Sequence, residues 1–183
     1  MKMTRLLPIL ALGAIASGCG LINEIENETR VLLEIEYINN AVGPAYHGFV
    51  IEGSGDIFRY DRQGAPFAYQ DSAEIEPNDL EGKFAPVKSL IVTRPPEEIT
   101  PLLTLIEVAA TQAEYSDPKL ACADAGTLTY RAYMFDTIKG RYIPVVLRIE
   151  GDFAILNTSQ AAQELIAYIR SLDLIDELLG CDP

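Results

Sequence analysis

From Val31 the chain alternates: Leu33, Ile35 and Tyr37 fall on one side of an extended backbone, Glu34 and Glu36 on the other. That period of two predicts a half-buried strand, closed by the turn residues Asn39-Asn40 and Gly43-Pro44. Phe49-Val50-Ile51 and Ile57-Phe58-Arg59-Tyr60 flank Gly53-Ser54-Gly55-Asp56, a hairpin whose glycines allow the positive φ of a tight turn. Residues 61–79 are polar, carry Gly64, Pro66 and Pro77, and read as a long surface loop. Leu80 to Val92 has no single period, and Gly82 and Pro86 break any helix running its whole length.

Pro95-Pro96-Glu97-Glu98 opens a helix with proline and acids in its first turn. Leu102, Leu105, Ile106, Ala109 and Ala113 recur at helical spacing, and Ser116-Asp117-Pro118 ends it. Gly126–Phe135 and Arg141–Glu150 predict a second hairpin around Asp136-Thr137-Ile138-Lys139-Gly140. Pro144 lacks an N–H, which places it at a sheet edge or a bulge. Phe153–Leu156 adds a short strand. Asn157, Thr158 and Ser159 are N-cap candidates for a last helix with Ala162, Leu165, Ile166, Ile169 and Leu172 on one face. Leu174 to Leu179 extends that helix or starts another, and Gly180 suits a C-cap. The sum is an α+β domain: an antiparallel sheet of about 4–6 strands, built from hairpins, with two main helices packed on one face.

The N-terminal pattern is different. Lys2 and Arg5 precede the uncharged run Leu6–Ala16, which has the length of a secretory signal rather than of a membrane span. It ends in Ala16-Ser17-Gly18-Cys19. This resembles the lipobox of bacterial lipoproteins, with Ala16 where that family most often has Leu. The resemblance implies cleavage before Cys19, a thiol carrying diacylglyceryl, an acylated amino group (palmitate) and a cell-envelope location. Gly20 follows the cysteine where inner-membrane retention favours Asp, so in a Gram-negative cell the resemblance points to the outer membrane, facing the periplasm or the cell surface. Residues 1–18 are then a cleaved signal, 19–30 a short lipid-proximal tether and 31–183 a single domain. The alternatives are ordinary cleavage after Ala16, because Ala14-Ile15-Ala16 is itself an A-x-A site, and an uncleaved anchor.

Cysteine parity bears on that choice. With Cys19 lipidated, Cys122 and Cys181 form the even pair that an oxidising compartment favours. Their bond would close a loop of about 60 residues, worth about 4 kcal/mol in the chain-entropy model. With cleavage after Ala16, one thiol is left over.

Charge narrows the partners. The chain carries a formal −13, and removing Lys2 and Arg5 leaves 12 basic against 27 acidic residues, a formal −15. That sign argues against nucleic acid and against electrostatic docking on anionic lipid. The expected partners are the membrane, through the lipid, and a protein or envelope component.

Candidate chemistry is sparse. His47 is the only histidine, no G-x-S-x-G elbow accompanies it, and it reads as a strand-edge or loop residue. C-x-x-C, H-E-x-x-H and Gly-rich phosphate loops are absent. Asp71, Glu74, Glu76, Asp79 and Glu81 could gather calcium, but the EF-hand ligand order is missing, and a solvated loop is the plainer reading. Carboxylate-dependent hydrolysis has acids in abundance and no two that stand out. Tyr130, Tyr133 and Tyr142 on the second hairpin are either exposed interface residues or aromatics half-covering a sheet face. No cofactor, metal or catalytic set is expected.

Asp124-Ala125-Gly126-Thr127, Tyr130 to Asp136, Gly151-Asp152-Phe153, Asn157-Thr158-Ser159 and Phe49 to Tyr60 are together similar to a group of uncharacterised bacterial secreted proteins and lipoproteins. In element order the domain is also similar to the emfourin-like small protease inhibitors. The expectation is a lipid-anchored, non-catalytic binding or structural module, with a tethered protease inhibitor and a carboxylate hydrolase as alternatives.

Overall fold

The computed structural model describes residues 30–39, 45–63, 73–84, 88–120, 126–151 and 153–174. Its strands are β1 (Val31–Asn39), β2 (Ala45–Glu52), β3 (Asp56–Gln63), β4 (Lys88–Thr93), β5 (Lys119–Leu120), β6 (Thr127–Asp136), β7 (Arg141–Gly151) and β8 (Phe153–Leu156). The helices are α1 (Pro77–Phe84), α2 (Pro96–Thr111) and α3 (Gln160–Ser171). The strands form one sheet ordered β4-β3-β2-β1-β6-β7-β8-β5, each neighbouring pair antiparallel. The α+β class and the antiparallel sheet are as the patterning predicts, but the sheet has eight strands rather than four to six. The additional strands are β4, hidden in the stretch without a single period, and β5, whose two residues are too few to alternate.

Two meanders meet at the centre, where β1 pairs with β2 on one side and β6 on the other. α2 and α3 pack on one face, burying Ile99, Leu102, Ile106, Leu165 and Ile169 against Leu33, Ile35, Phe49, Ile51 and Leu147. Ser159 caps α3, its hydroxyl accepting from the Ala162 N–H at 3.3 Å. The opposite face is covered as well. Leu80 and Phe84 of α1 and Ile75 pack on Val31, Val50, Tyr60, Tyr133 and Tyr142, and Ile75 pairs with Tyr142 through two backbone hydrogen bonds. β1 is therefore buried on both faces, against the half-buried expectation.

Gly48 is among the glycines that are required sterically. It lies between β1 and β3, opposite Glu36 and Tyr60. A Cβ there would stand 1.9 Å from the Ile35 carbonyl oxygen. Pro144 pairs with Tyr133 on a part of β7 that β8 does not reach, since β8 pairs only with Arg148 and Ile149.

Candidate functional site

Register brings together charges that are far apart in sequence. Glu34 of β1 lies opposite Val50 on one side and Arg131 of β6 on the other; Glu36 lies opposite Gly48 and Thr129. Tyr60, next to Gly48 on β3, reaches across the gap left by the missing side chain. α1 closes the site from above with Lys83. The Lys83 Nζ stands 2.5 Å from Glu34 Oε1 and 2.7 Å from Glu36 Oε1. Arg131 Nη1 donates to Glu36 Oε2 at 2.7 Å and reaches Glu34 Oε2 at 3.4 Å. The Tyr60 hydroxyl donates to Glu34 Oε1 at 2.6 Å, and the Tyr133 hydroxyl donates to Glu34 Oε2. Two carboxylates and two cations thus form a neutral cluster in which Glu34 is fully buried and Glu36 is 1% exposed.

The electrostatics follow from that geometry. Burial alone would raise the Glu34 carboxyl, but Lys83 and Arg131 together outweigh it, and hydrogen bonds from Lys83 and Tyr133 add to them, holding it down at about 2. Tyr60 and Tyr133 are pushed well above the ordinary phenol value by burial and by the Glu34 charge. Arg131 is raised too: burial opposes its charge, but Glu34 and Glu36 prevail. A carboxyl titrating near 2 is a weak base, and a phenol well above 10 is a weak acid near neutrality, so this set is poorly matched to proton transfer at pH 7. It is well matched to fastening α1 to the sheet.

Beside the cluster is a cavity of about 250 Å³ floored by Val31, Leu80, Phe84 and Tyr142, just under the roughly 300–1,000 Å³ usual for small-molecule sites. Its rim carries Glu81 and the ion pair of Lys88 with Glu52, 2.6 Å apart.

The tyrosines singled out from sequence are not a surface. Tyr130 is buried on the α2–α3 face, while Tyr133 and Tyr142 are buried under α1. Period two places these residues on a face but does not say that the face is covered. Glu74 and Glu76 of the acidic stretch are ion-paired with Lys139 and Arg141 at the β6–β7 turn; Asp71 lies outside the described residues. Among the described residues, no group of three or more His, Cys, Asp or Glu side chains could hold a metal ion. The His47 ring lies tilted at 42° against the Tyr37 ring, their centres 5.1 Å apart. Cys19, Cys122 and Cys181 lie outside the described residues.

No protein-family model matches this chain, and neither the curated proteins nor the solved structures contain a match to it. Among the described residues, no helix is long and apolar enough to cross a membrane.

Proposed function

We propose that this chain is a lipid-anchored protein of a bacterial cell envelope, held by diacylglyceryl on Cys19, whose domain is a non-catalytic binding or structural module. The anchor rests on the apolar run ending in Ala16-Ser17-Gly18-Cys19. Two or three acyl chains hold a protein at a membrane where a single chain gives only marginal binding.

The observation that carries the module reading is the closure of the charge cluster. Glu34 and Glu36, the carboxylates that the sheet brings together, are shut from solvent and committed to Lys83 and Arg131, an arrangement that stiffens a fold and leaves no approach for a substrate.

Intact mass of membrane-extracted protein, with thiol alkylation before and after reduction, tests the anchor. The expected result is a chain beginning at Cys19 with added acyl mass, and two thiols that react only after reduction. A soluble chain beginning at Ser17 would overturn it. For the module, turnover in a broad hydrolase screen that is abolished by Glu34→Gln would overturn the non-catalytic reading. Stoichiometric inhibition of an envelope protease would identify the partner as that enzyme.

A further inference from the structure

The most exposed large apolar side chain described is Ile138, 96% accessible at the tip of the β6–β7 hairpin. The tip is braced. Asp136 Oδ1 accepts from the backbone N–H groups of Ile138 at 2.9 Å and Lys139 at 3.1 Å, and the Gly140 N–H closes the turn on the Asp136 carbonyl at 2.8 Å. The neighbouring charges are paired, Lys139 and Arg141 with Glu74. An isoleucine held out on a braced turn, with the cations that follow it paired, is suited to an apolar surface.

The chain's own path says which surface. β1 begins at this same end of the sheet: the Arg30 guanidinium lies 4.1 Å over the Phe135 ring, and the Val31 N–H donates to the Tyr142 hydroxyl at 3.3 Å. The last β1–β6 pair is Leu33 with Ala132, so Tyr133 to Asp136 carry the hairpin past it towards Ile138. The stretch from Cys19 to Arg30 spans at most about 40 Å even if fully extended. Edge strand β4 also exposes Leu90, Ile91 and Val92; another exposed apolar pair, Leu120 at 75% and Phe153 at 56%, sits at the far end of the sheet, beside Gly151 and Thr127, which in turn lie next to Ile38. A nine-residue strand separates the two ends by roughly 30 Å.

We infer that the β6–β7 tip is a membrane-contact site, Ile138 dipping into the lipid surface to which Cys19 is anchored and so fixing the orientation of the domain. The inference rests on the lipid-anchor reading above. Burying one isoleucine favours contact by about ten- to a hundredfold. That is too little to recruit a free domain from dilute solution, but enough to choose the orientation of one already tethered. The contact is apolar, so it does not depend on the charge of the lipid.

The sequence contains no tryptophan, so Ile138→Trp and Leu120→Trp each introduce a single indole. The acylated full chain, its acyl mass verified, is reconstituted in phosphatidylethanolamine–phosphatidylglycerol vesicles with lipids brominated near the headgroup. The Ile138→Trp emission should shift to the blue and be quenched several-fold more than that of Leu120→Trp, equally at low salt and at about 0.5 M salt, where surface charges are screened. Because an indole itself favours the interface, Thr137→Trp serves as a neighbouring reporter, and adding Ile138→Asp should release its quenching. Equal quenching at the two ends, loss at high salt or an indifferent Ile138→Asp would overturn the inference alone. A chain without acyl mass would overturn the anchor reading and the inference with it.

Discussion

Lys83→Met tests whether the buried cluster is as dry and as closed as its geometry shows. The substitution nearly preserves side-chain length and removes one of the two cations facing Glu34 and Glu36. Arg131 is left to balance both carboxylates, with one surplus negative charge among buried residues. Removing one partner of a buried ion pair costs about 3–5 kcal/mol, a large share of the roughly 5–15 kcal/mol that holds a typical domain. For a domain of this size the expected fall in Tm is about 6–20 °C.

The pH dependence supplies the sign. In the wild type, Glu34 is depressed from 4.5 to about 2, a difference worth about 3 kcal/mol. A depressed carboxyl stabilises above its unfolded value, so that contribution is whole at pH 7 and fades as the pH falls from about 4.5 towards 2. Without Lys83, burial and the Glu34–Glu36 repulsion push the pair upward. The folded variant then takes up a proton before the unfolded chain does, so its stability drops less, or rises, on acidification. The gap between wild type and Lys83→Met should be widest near pH 7 and narrow by pH 4, as measured by urea unfolding at each pH. Adding Glu36→Gln should restore more than half of the loss. A gap below about 1 kcal/mol at pH 7, or one that is constant from pH 7 to 4, would refute the reasoning. It would mean that α1 lifts and lets water solvate the charges, which rapid amide exchange confined to α1 would reveal.

Two further substitutions probe the same face. Gly48→Ala should destabilise by about 1–3 kcal/mol, lowering the urea midpoint with an unchanged slope, because the new methyl would meet the Ile35 carbonyl oxygen, a backbone atom that cannot swing aside. Intrinsic preference within a strand favours Ala over Gly, so a stabilised variant would show that the β1–β2 spacing yields. Tyr133→Phe removes a donor to the Glu34 carboxylate and should lose about 1.5–3 kcal/mol in the same assay; a neutral result would mean that water replaces the hydroxyl.

Most of the fold was legible where one period governs a whole element. The β2–β3 and β6–β7 hairpins, α2, and α3 with its Ser159 cap stand where alternation, turn residues and helical spacing put them. The stretch from Leu80 to Val92 was not legible, because it holds the end of a short helix and an edge strand, each too brief to establish a period. Within α1, Gly82 and four charged or amide side chains obscure the apolar pair Leu80 and Phe84.

The buried cluster was missed for a related reason. Alternation in β1 separates Leu33 and Ile35 from Glu34 and Glu36, and the polar side of a strand is ordinarily wet. What changes that is Lys83, 49 residues away from Glu34, on a helix that sequence periodicity does not reveal. Yet a signal was present. β6 carries Arg131 between Tyr130 and Ala132 with Tyr133 just beyond, so an acid pair on one predicted strand faces a base flanked by aromatics on another. Buried charges are tolerated when opposite in sign and fully hydrogen-bonded. Complementary charges embedded in two otherwise apolar strands therefore argue that those strands are neighbours and that their shared polar face is covered.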